Sequence, residues 1–518
     1  MSEAPEHDAP EPPLQPGVVA DAPPDASAQR AAPAASGART FFVRIFPSIM
    51  LPMFIAVVDQ TIVATALPAI ATSLGDADRV SWVVISYLIA NTVAAPIYGR
   101  LGDAFGRRRI LFAALGVMIA ASIACALSTS LLMLAAFRVV QGLGGGGLMT
   151  SSQALIGETI APRERARYQG YLAAVVVVSN SFGPVAGGWL TEAFGWRSVF
   201  WLNLPLGLLA VALTFRLPAK GPGNTPWRFD VGGLVFFILF IVPALLVLEQ
   251  VRTLSLANAP LIVAMTLLSV LSGWLLIRQE RREELPLLPL AVWRQSTIWR
   301  SDALAACHGA TLVSLITFAP IYLHVVRGVT PAQMGYALVP VALGIGIGSL
   351  VTGRLVSATG RTMIFPSFAM IPTVGLFLLL AAVLDRITVT QFGILLGVMA
   401  LFMGAVMGVV QITVQNAAPR GMLGSAAGSV QFSRAVGATF GTALVSVILF
   451  ATLGHLAPEA LEGFGALMAT GGEAFASSAQ GPAVQAALIT SFRVVFLMLA
   501  LFATGALGFA WSIPARRL

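Results

Sequence analysis

Charged residues are scarce in this sequence. Asp, Glu, Lys and Arg make up 10% of its 518 residues, whereas apolar residues make up 57% and the mean hydropathy is +0.85. Soluble globular domains carry about 25% charged residues. The scarcity excludes a soluble protein and indicates an integral membrane protein that consists mainly of spanning segments. The formal net charge of +8 is then expected in loops on one side of the membrane rather than at a nucleic-acid interface.

Lysine is nearly absent, and so are common catalytic motifs. The single lysine, Lys220, is followed by Gly221, so the chain has no G-K-[ST] loop that could bind nucleotide phosphates. It has neither the H-E-x-x-H motif nor the G-x-S-x-G motif of hydrolase families. ATP is therefore excluded as a direct energy source, and we do not expect an enzyme. A membrane-embedded receptor or enzyme is a remote alternative.

Cysteine is also rare. Cys125 and Cys307 lie within apolar stretches, where small packing residues are a better explanation than a disulfide. Asp302 and His308 are six positions apart, which does not place them on one face of a helix. The sequence therefore predicts no metal site and no cofactor.

Apolar segments, by contrast, are long and numerous. A helix that spans a bilayer needs about 20 mainly apolar residues, whereas a barrel strand needs about ten with alternating polarity. Segment length therefore predicts helices rather than a barrel. The predicted spans are 46–70, 82–101, 110–129, 132–154, 167–190, 198–216, 230–249, 260–278, 301–325, 333–355, 362–384, 391–414, 425–450 and 489–511.

Lys and Arg are distributed unevenly between the loops. With the N-terminus placed in the cytoplasm, 23 of the 31 Lys and Arg residues fall on the cytoplasmic side, 5 on the outer side and 3 within spans. Cytoplasmic loops of membrane proteins are enriched in these residues. We therefore expect both termini in the cytoplasm of a bacterial cell and a multi-pass protein of its cytoplasmic membrane.

A short motif occurs twice in the chain. GRLGDAFGR at 99–107 reappears as GRLVSATGR at 353–361, after the second and tenth predicted spans, with Ser357 in place of Asp103. Two halves built on one plan are typical of secondary transporters. The repeat therefore predicts two six-helix bundles, with the seventh and eighth spans inserted between them.

Domain boundaries follow from these segments. The first 40 residues are rich in Pro and Ala and lack an apolar core, so they are not a signal peptide. The predicted domains are a disordered cytoplasmic tail (1–40), an N-terminal six-helix bundle (41–217), two inserted transmembrane helices (218–278), an amphipathic cytoplasmic connector (279–300) and a C-terminal six-helix bundle (301–518) with a long outside loop (451–488).

Five stretches resemble one family of transporters. The spacing G-x-L-G-D-x-x-G-R-R-R over 99–109 resembles the loop signature of the major facilitator superfamily. Four further stretches resemble its fourteen-helix drug–proton antiporter branch: VDQTIVATALPAI (58–70), FRVVQGLGGG (137–146), SFGPVAGG (181–188) and GWRSVFWLNLP (195–205). The resemblance implies an all-α integral membrane protein with the major facilitator fold, in which two pseudo-symmetric six-helix bundles and two inserted helices make fourteen transmembrane helices.

Asp59 is the clearest candidate for proton coupling. It lies about 13 residues into the first span, roughly 20 Å from its inner end, and no sequence neighbour neutralises it. Ionisable residues inside a membrane are costly and mark functional sites. A carboxylate whose surroundings alternate between apolar and cationic takes up a proton in one state and releases it in the other. The alternative is a structural Asp that stays protonated or hydrogen-bonded.

Arg138 is the second candidate for proton coupling. It lies in the fourth span, roughly 7 Å nearer the outer surface than Asp59, an offset that long side chains and a water molecule bridge. The resemblance implies that this arginine assists proton transfer at a central cavity. In the predicted cycle, Asp59 pairs with Arg138 when deprotonated and is released on protonation, and substrate competes for it. A structural arginine that donates to backbone carbonyls is the alternative.

The loop after the second span is predicted to be a cytoplasmic latch. Gly99 and Gly106 allow tight turning, and Arg107 and Arg108 hold the loop on the cytoplasmic side. Asp103 is not needed for that purpose. Near helix ends it accepts bonds from backbone N–H groups or pairs with arginine, and so holds neighbouring helices in one arrangement. The alternative is a solvated basic loop.

A glycine-rich stretch of the fifth span is the predicted gate. Gly183, Pro184, Gly187 and Gly188 carry little side-chain bulk, so another helix can approach closely. The resemblance implies an antiporter gate that limits leakage along the outward path, and close packing alone is the alternative. Arg434, in the thirteenth span, is expected to be a structural hydrogen-bond donor.

Together these features predict a secondary active transporter that works by alternating access. The expected activity is proton-coupled antiport that exports hydrophobic or cationic small molecules, as in multidrug efflux, with the proton gradient as its energy source. The alternative is a dedicated exporter or importer of one metabolite, such as a lipid, a siderophore or an antibiotic. We expect a monomer whose partners are small-molecule substrate, protons and the lipid bilayer, and not nucleic acid. A periplasmic adaptor has no support in the sequence.

Overall fold

The computed structural model describes most of the chain. It covers residues 45–75, 79–218, 230–250, 259–283, 290–329, 331–419, 421–462, 464, 481–514 and 516–517. The predicted tail (1–40) lies outside these ranges, as do residues 463 and 465–480 of the predicted outside loop.

Secondary structure in the described residues is helical, apart from one isolated bridge between Arg361 and Arg517. Long helices are expected because a backbone in lipid must satisfy its polar groups within its own segment. The helices are α1 (Phe46–Leu74), α2 (Trp82–Phe105), α3 (Arg107–Ala126), α4 (Leu131–Thr159), α5 (Pro162–Phe194), α6 (Ser198–Trp201), α7 (Asn203–Thr214), α8 (Val231–Gln250), α9 (Ala259–Glu280), α10 (Leu290–Trp293), α11 (Ser296–Arg327), α12 (Pro331–Thr359), α13 (Ile364–Val383), α14 (Val389–Ala417), α15 (Leu423–Leu456), α16 (Pro458–Glu462) and α17 (Gly481–Ser512).

Apolar helices match the fourteen predicted spans one for one. Thirteen of the described helices are long and apolar enough to cross a membrane, and α6 and α7 form a shorter apolar segment over Ser198–Thr214. The predicted all-helical membrane fold is therefore confirmed. The chain has the architecture of a multi-pass membrane protein.

Several helices extend beyond the predicted spans. α2 continues to Phe105, and α11 begins at Ser296, inside the predicted connector. α15 continues to Leu456 and α17 begins at Gly481, so both ends of the predicted outside loop are helical. Bilayer thickness sets a minimum length for an apolar helix but does not end it. Hydropathy alone therefore placed these boundaries too early or too late.

The two six-helix bundles contact each other through crossings of small residues. α2 crosses α15 where Gly99 faces Gly424, and a methyl group added at Gly99 would lie 3.3 Å from the Cα of Ser425. α5 crosses α12, where a methyl group at Gly353 would lie 3.2 Å from the carbonyl carbon of Ala166. Gly99 and Gly353 occupy the same position of the repeated motif. The repeat therefore corresponds to a pseudo-symmetric pair of contacts.

Polar contacts between the bundles lie at the same end of the helices. Arg165, at the start of α5, donates to Asn416 of α14 at 2.7 Å, and Gln415 donates to the carbonyl oxygen of Gln153 at 2.9 Å. Asp103, near the end of α2, contacts α15 at that end too. The arginine-rich loops that the sequence assigns to the cytoplasm are also there. The bundles are thus sealed against each other at the predicted cytoplasmic end.

The inserted helices α8 and α9 pack against each other, and α8 also contacts α2 and α15. The rings of Phe237 on α8 and Phe432 on α15 lie 5.5 Å apart, and Val93 of α2 belongs to the same cluster. Because α2 and α15 belong to different bundles, the insertion packs across their junction.

Candidate functional site

Asp59 and Arg138 form a buried ion pair. Oδ2 of Asp59 lies 2.7 Å from Nη1 of Arg138, and both side chains are completely shielded from solvent. α1 supplies the acid and α4 supplies the arginine. An uncompensated charge is very costly inside a protein. Each residue therefore makes the burial of the other possible.

Two amides complete the surroundings of the Asp59 carboxylate. Gln141 Nε2 and Asn203 Nδ2 donate to its Oδ1 at 2.9 and 2.6 Å. The same two amide nitrogens contact the hydroxyl of Ser122 at 2.8 and 3.2 Å. The hydrogen-bond partners of Asp59 are thus donors. This arrangement suits an ionised carboxylate, which only accepts hydrogen bonds.

Arg138 is held from several sides. Its Nε donates to the carbonyl oxygen of Val83 at 3.0 Å, and its Nη1 also donates to Gln141 Oε1 at 2.7 Å. The guanidinium carbon lies 4.1 Å from the ring centre of Tyr87, whose hydroxyl donates to the carbonyl oxygen of Ala56 at 3.0 Å. A desolvated cation over an aromatic face is favourable. The arginine thereby links α4 to α1 and α2.

Sequence reasoning missed Gln141 and Asn203. Gln141 follows Arg138 by three positions, so the two lie on one face of α4. That spacing is a signal that could have identified it. Asn203 begins α7, far from α1 in the chain, and only the tertiary structure places it beside Asp59. An uncharged amide in an apolar segment is a weaker signal than a charge.

Asp103 joins the two bundles at the predicted cytoplasmic end. Its carboxylate accepts hydrogen bonds from the backbone N–H groups of Gly424 at 2.9 Å and Ser425 at 2.8 Å, and from the Ser425 hydroxyl at 2.9 Å. Both residues lie in the first turn of α15, where free N–H groups and the helix dipole favour an anion. Arg107 also pairs with Asp103 and donates to the carbonyl oxygen of Gly99 at 3.1 Å. This geometry is suited to a latch.

One part of the turn prediction is wrong. Gly99 lies inside α2 and permits the close crossing with α15, so it does not turn the chain. The turn falls at Gly106, between the end of α2 and the start of α3, with a φ of +90°. Residues with a Cβ rarely adopt that conformation.

Arg108 lies outside the latch, which also corrects the prediction. Its guanidinium lies over the rings of Phe112 and Phe215, at 5.7 and 5.9 Å from their centres. Consecutive residues on a helix do not face the same way. Arg107 therefore reaches Asp103, whereas Arg108 points to apolar neighbours.

Two of the predicted gate residues pack tightly against α1. A methyl group added at Gly183 would lie 2.9 Å from the Cβ of Thr61, and one at Gly187 would lie 2.8 Å from the Cγ1 of Ile62. Thr61 follows Asp59 by two residues. The glycine face of α5 therefore contacts the segment of α1 that carries the buried acid.

The other two predicted gate residues have different surroundings. Pro184 is exposed, and a methyl group added at Gly188 would meet no atom within 4 Å. Positions four apart lie on one helical face. The contact with α1 is thus made by the pair Gly183 and Gly187.

A cavity lies between the two bundles. Its lining comes from α1, α4 and α5 of the N-terminal bundle and from α11, α12, α14 and α15 of the C-terminal bundle. Met and Gln are frequent there, and the ionisable residues among its described lining are His308 and Arg434. Met53 is its member from α1, whereas Asp59 does not line it. Direct competition between substrate and proton at Asp59 therefore has no support in this conformation.

Comparison with known proteins agrees with this architecture. The profile of the Major Facilitator Superfamily matches residues 49–442. The chain belongs to the major facilitator superfamily. It is 33% identical over 401 residues to an uncharacterized MFS-type transporter of Mycobacterium tuberculosis, and the alignment covers 77% of the chain but only 58% of that relative.

Another relative and one solved structure extend the comparison. The major facilitator chain is 29% identical over 419 residues to the multidrug transporter protein MdtP of Bacillus subtilis, with 80% of the chain and 77% of that relative covered. The structure of the proton:xylose symporter XylE bound to 6-bromo-6-deoxy-D-glucose matches with a TM-score of 0.62 and 12% identity, over 92% of this chain and 96% of that one. At that identity the likeness shows the fold alone. The fold and these relatives are those of the major facilitator superfamily.

Proposed function

We propose that this protein is a proton-coupled antiporter that exports hydrophobic small molecules by alternating access. The observation that carries the proposal is the Asp59–Arg138 pair, which is fully buried inside the N-terminal bundle. An acid held there by a single cation is a costly arrangement unless it serves a function. The similarity to MdtP, which is named a multidrug transporter, supports efflux.

Proton transfer would act on the contact between α1 and α4. When Asp59 binds a proton it loses its charge, while Arg138 keeps its own charge and its bonds to Val83 and Gln141. The attraction between the two helices then weakens, because the arginine no longer faces an anion. The protonation state of Asp59 would thereby set how firmly α1 is held against α4.

The packing of α1 would carry this change to the gate and the cavity. α1 contacts α5 at Gly183 and Gly187, and Met53 of the same helix lines the cavity. A shift of α1 therefore alters both the packing of α5 and the shape of the cavity. Proton and substrate would then be coupled through helix movement rather than through competition at one carboxylate.

The latch at Asp103 would favour one of the two conformations of the cycle. In the present conformation Asp103, which pairs with Arg107, connects the bundles at the predicted cytoplasmic end. Loading a substrate from the cytoplasm requires that end to open, and water then competes for the same charged groups. The latch would break and re-form in each cycle.

The orientation is part of the same proposal. We place both termini in the cytoplasm and the protein in the bacterial cytoplasmic membrane, because 23 of 31 Lys and Arg residues then face inward. In that orientation the end at which Asp103, Arg165 and Gln415 join the bundles is the inner one.

The cavity supports a hydrophobic substrate more than a cationic one. Met53, Met149, Met403 and Met407 offer adaptable apolar surface. Among the described residues that line the cavity there is no Asp or Glu. A cation would therefore lack a neutralising partner there, in contrast to the sequence-based expectation.

The test is a proteoliposome experiment with the purified full-length protein and an imposed pH gradient. A trapped pH-sensitive dye reports proton movement while a panel of hydrophobic compounds is added. We expect substrate-linked proton flux for the parent and its loss for Asp59→Asn, because an amide cannot carry the transferred proton. Asp385→Asn is the matched control, since Asp385 lies on the surface and pairs with Arg493. It should leave the flux unchanged.

Two outcomes would overturn the proposal. Unchanged proton flux in Asp59→Asn would remove Asp59 from the mechanism. Gradient-independent transport by the parent would remove proton coupling altogether. To exclude misfolding, Asp59→Asn should still exchange labelled for unlabelled substrate across the membrane without a gradient.

A further inference from the structure

The C-terminal bundle places a second arginine, Arg434, at the cavity. Its Nε donates to Gln431 Oε1 at 3.1 Å, and its two terminal nitrogens have no hydrogen-bond partner among the described residues. No Asp or Glu of the described ranges lies within 4.0 Å of its guanidinium. The stem packs over Gly309, where an added methyl group would lie 3.2 Å from the Arg434 Cγ. A cation with unused donors therefore lines the cavity.

Two further polar groups at this cavity lack partners within the described chain. His308 is 2% exposed; its Nε2 donates to the carbonyl oxygen of Met403 at 3.0 Å, which leaves Nδ1 without a partner. Gln411 is also 2% exposed, and its Nε2 has no hydrogen-bond acceptor. Buried polar atoms are almost always paired, so such exceptions require an explanation. A ligand in the cavity supplies one, because both residues and Arg434 line it.

The unused groups define which ligand chemistry fits. Guanidinium and amide N–H groups need acceptors, and an anionic oxygen pair satisfies them better than a neutral carbonyl because charge-assisted bonds are stronger. A ligand hydroxyl or amide could donate to Nδ1 of His308, which is an acceptor in the neutral imidazole. The methionines around these groups accommodate an apolar body of variable shape.

We propose that the cavity binds amphipathic organic anions, with the carboxylate of the ligand on Arg434 and Gln411 and its apolar body against the methionines. This inference rests on the proposed function, because it names the substrate class of the same transporter. It differs from an expectation of cationic substrates, since Arg434 would repel a cation that no acid of the described lining neutralises.

Three probes with one apolar body test the proposal. They are 2-naphthylacetate, its neutral amide, and the cation (2-naphthylethyl)trimethylammonium. Binding of each radiolabelled probe to the full-length protein in phosphatidylcholine nanodiscs is measured by equilibrium dialysis without a pH gradient, and empty nanodiscs correct for partition into lipid. We expect the anion to bind about tenfold tighter than the amide, as one charge-assisted contact predicts, and the cation to bind most weakly.

Single substitutions test whether Arg434 causes the preference for the anionic probe over the neutral amide. Arg434→Gln should remove the anion preference while amide binding stays within about twofold, and Arg434→Lys should restore most of it because the charge returns. Arg493→Gln is the matched control: Arg493 lies on a spanning helix, but it bonds the carbonyl oxygen of Ala381 and lies outside the cavity. It should keep the full preference. Gln411→Leu should weaken anion binding less than Arg434→Gln does.

Several results would overturn the inference. They are equal binding of anion and amide by the parent, tightest binding of the cation, an anion preference that survives Arg434→Gln, or no measurable binding of any probe. Equal potency of inorganic phosphate as a competitor would indicate a site for simple anions and would overturn the amphipathic part. Because no gradient is imposed, failure here leaves proton-coupled export intact. Loss of gradient-driven flux with a retained anion preference would instead remove the proposed function.

Discussion

Each of the two bundles carries an arginine on a helix that is long and apolar enough to span a membrane, but the surroundings of the two arginines differ. Arg138 of the N-terminal bundle meets the carboxylate of Asp59 at 2.7 Å and is completely buried. Arg434 of the C-terminal bundle lines the cavity with one hydrogen bond, to Gln431, and no acid of the described residues within 4.0 Å. One positive charge is neutralised inside the bundle, and the other is open to a ligand.

This difference is consistent with separate proposed roles for the two arginines. A neutralised pair responds to a proton, because protonation of the acid removes the attraction between the two charges. An arginine without an acid responds to an anion, because binding supplies the missing charge. In the proposed mechanism the two events would occur in different bundles and would communicate through the helices that meet at the cavity. Neither site alone would then perform exchange.

The largest expected effect comes from breaking the neutralised pair. Arg138→Leu leaves Asp59 as an unpaired buried charge and should cost about 3–5 kcal/mol in the free energy of unfolding. Arg434→Leu should cost only about 1 kcal/mol, because it removes one hydrogen bond and no ion pair. Equilibrium unfolding in mixed detergent micelles measures both.

The double variant sharpens the same comparison. Asp59→Leu combined with Arg138→Leu should be more stable than Arg138→Leu alone, because no unpaired charge is left. If Arg434→Leu proved as destabilising as Arg138→Leu, Arg434 would have to be neutralised by a group outside the described residues. The contrast between the bundles would then be lost.

A smaller effect is expected at the repeated motif, where the bundles differ by one residue. Asp103 accepts three hydrogen bonds from Gly424 and Ser425 across the bundle interface, whereas Ser357 occupies its place in the second copy. Two conformations are compared: the present one, and one in which the bundles separate at the Asp103 contact. Asp103→Ala should therefore shift the equilibrium between them at least about tenfold towards the separated conformation. Ser357→Ala is the matched control.

Spin labels on α5 and α12 measure that shift. Arg167 and Ala358 are exposed near the sealed end and can be replaced by cysteines that accept spin labels. The native cysteines are first removed by Cys125→Ala and Cys307→Ala. The distance distribution should gain a longer component in Asp103→Ala and remain as in the parent in Ser357→Ala. Equal distributions in all three proteins would show that Asp103 contributes nothing to the seal.

Hydropathy and charge predicted much of this fold. The fourteen spans required only long apolar runs, and the repeat at 99–107 and 353–361 indicated two related bundles. Asp59 and Arg138 were identified because charges in apolar segments are conspicuous, and the structure brings them into direct contact. Their role in proton transfer stays a prediction, because the contact shows proximity and not function.

The remaining parts of the site depend on tertiary structure. Asn203 reaches Asp59 from 144 positions away in the chain, and no local pattern encodes that contact. The sequence predicts a structural hydrogen-bond donor at Arg434. Gly437 and Gly441 of α15 pack closely against α11, and Arg434 and His308 line one cavity. Sequence spacing shows which residues share one face of a helix, but it does not show which helix or cavity that face contacts.

Effects that range from moderate to negligible should come from the glycines that bring helices together in each bundle. Gly183 of α5 packs against the side chain of Thr61 on α1, whereas Gly437 of α15 packs against the backbone of Ala306 on α11. Side chains adjust more readily than backbone, so Gly437→Ala should lower the unfolding free energy by about 1–3 kcal/mol and Gly183→Ala by less. Gly188→Ala, which meets no atom within 4 Å, should be nearly neutral.

Thermal unfolding of the three variants in one detergent ranks them. The expected order of stability is Gly188→Ala, then Gly183→Ala, then Gly437→Ala. A larger loss in Gly183→Ala than in Gly437→Ala would mean that α1 is held more rigidly than α11. Such rigidity would contradict the movement of α1 on protonation of Asp59, because a helix that cannot yield to one methyl group cannot transmit the loss of an ion pair to the gate.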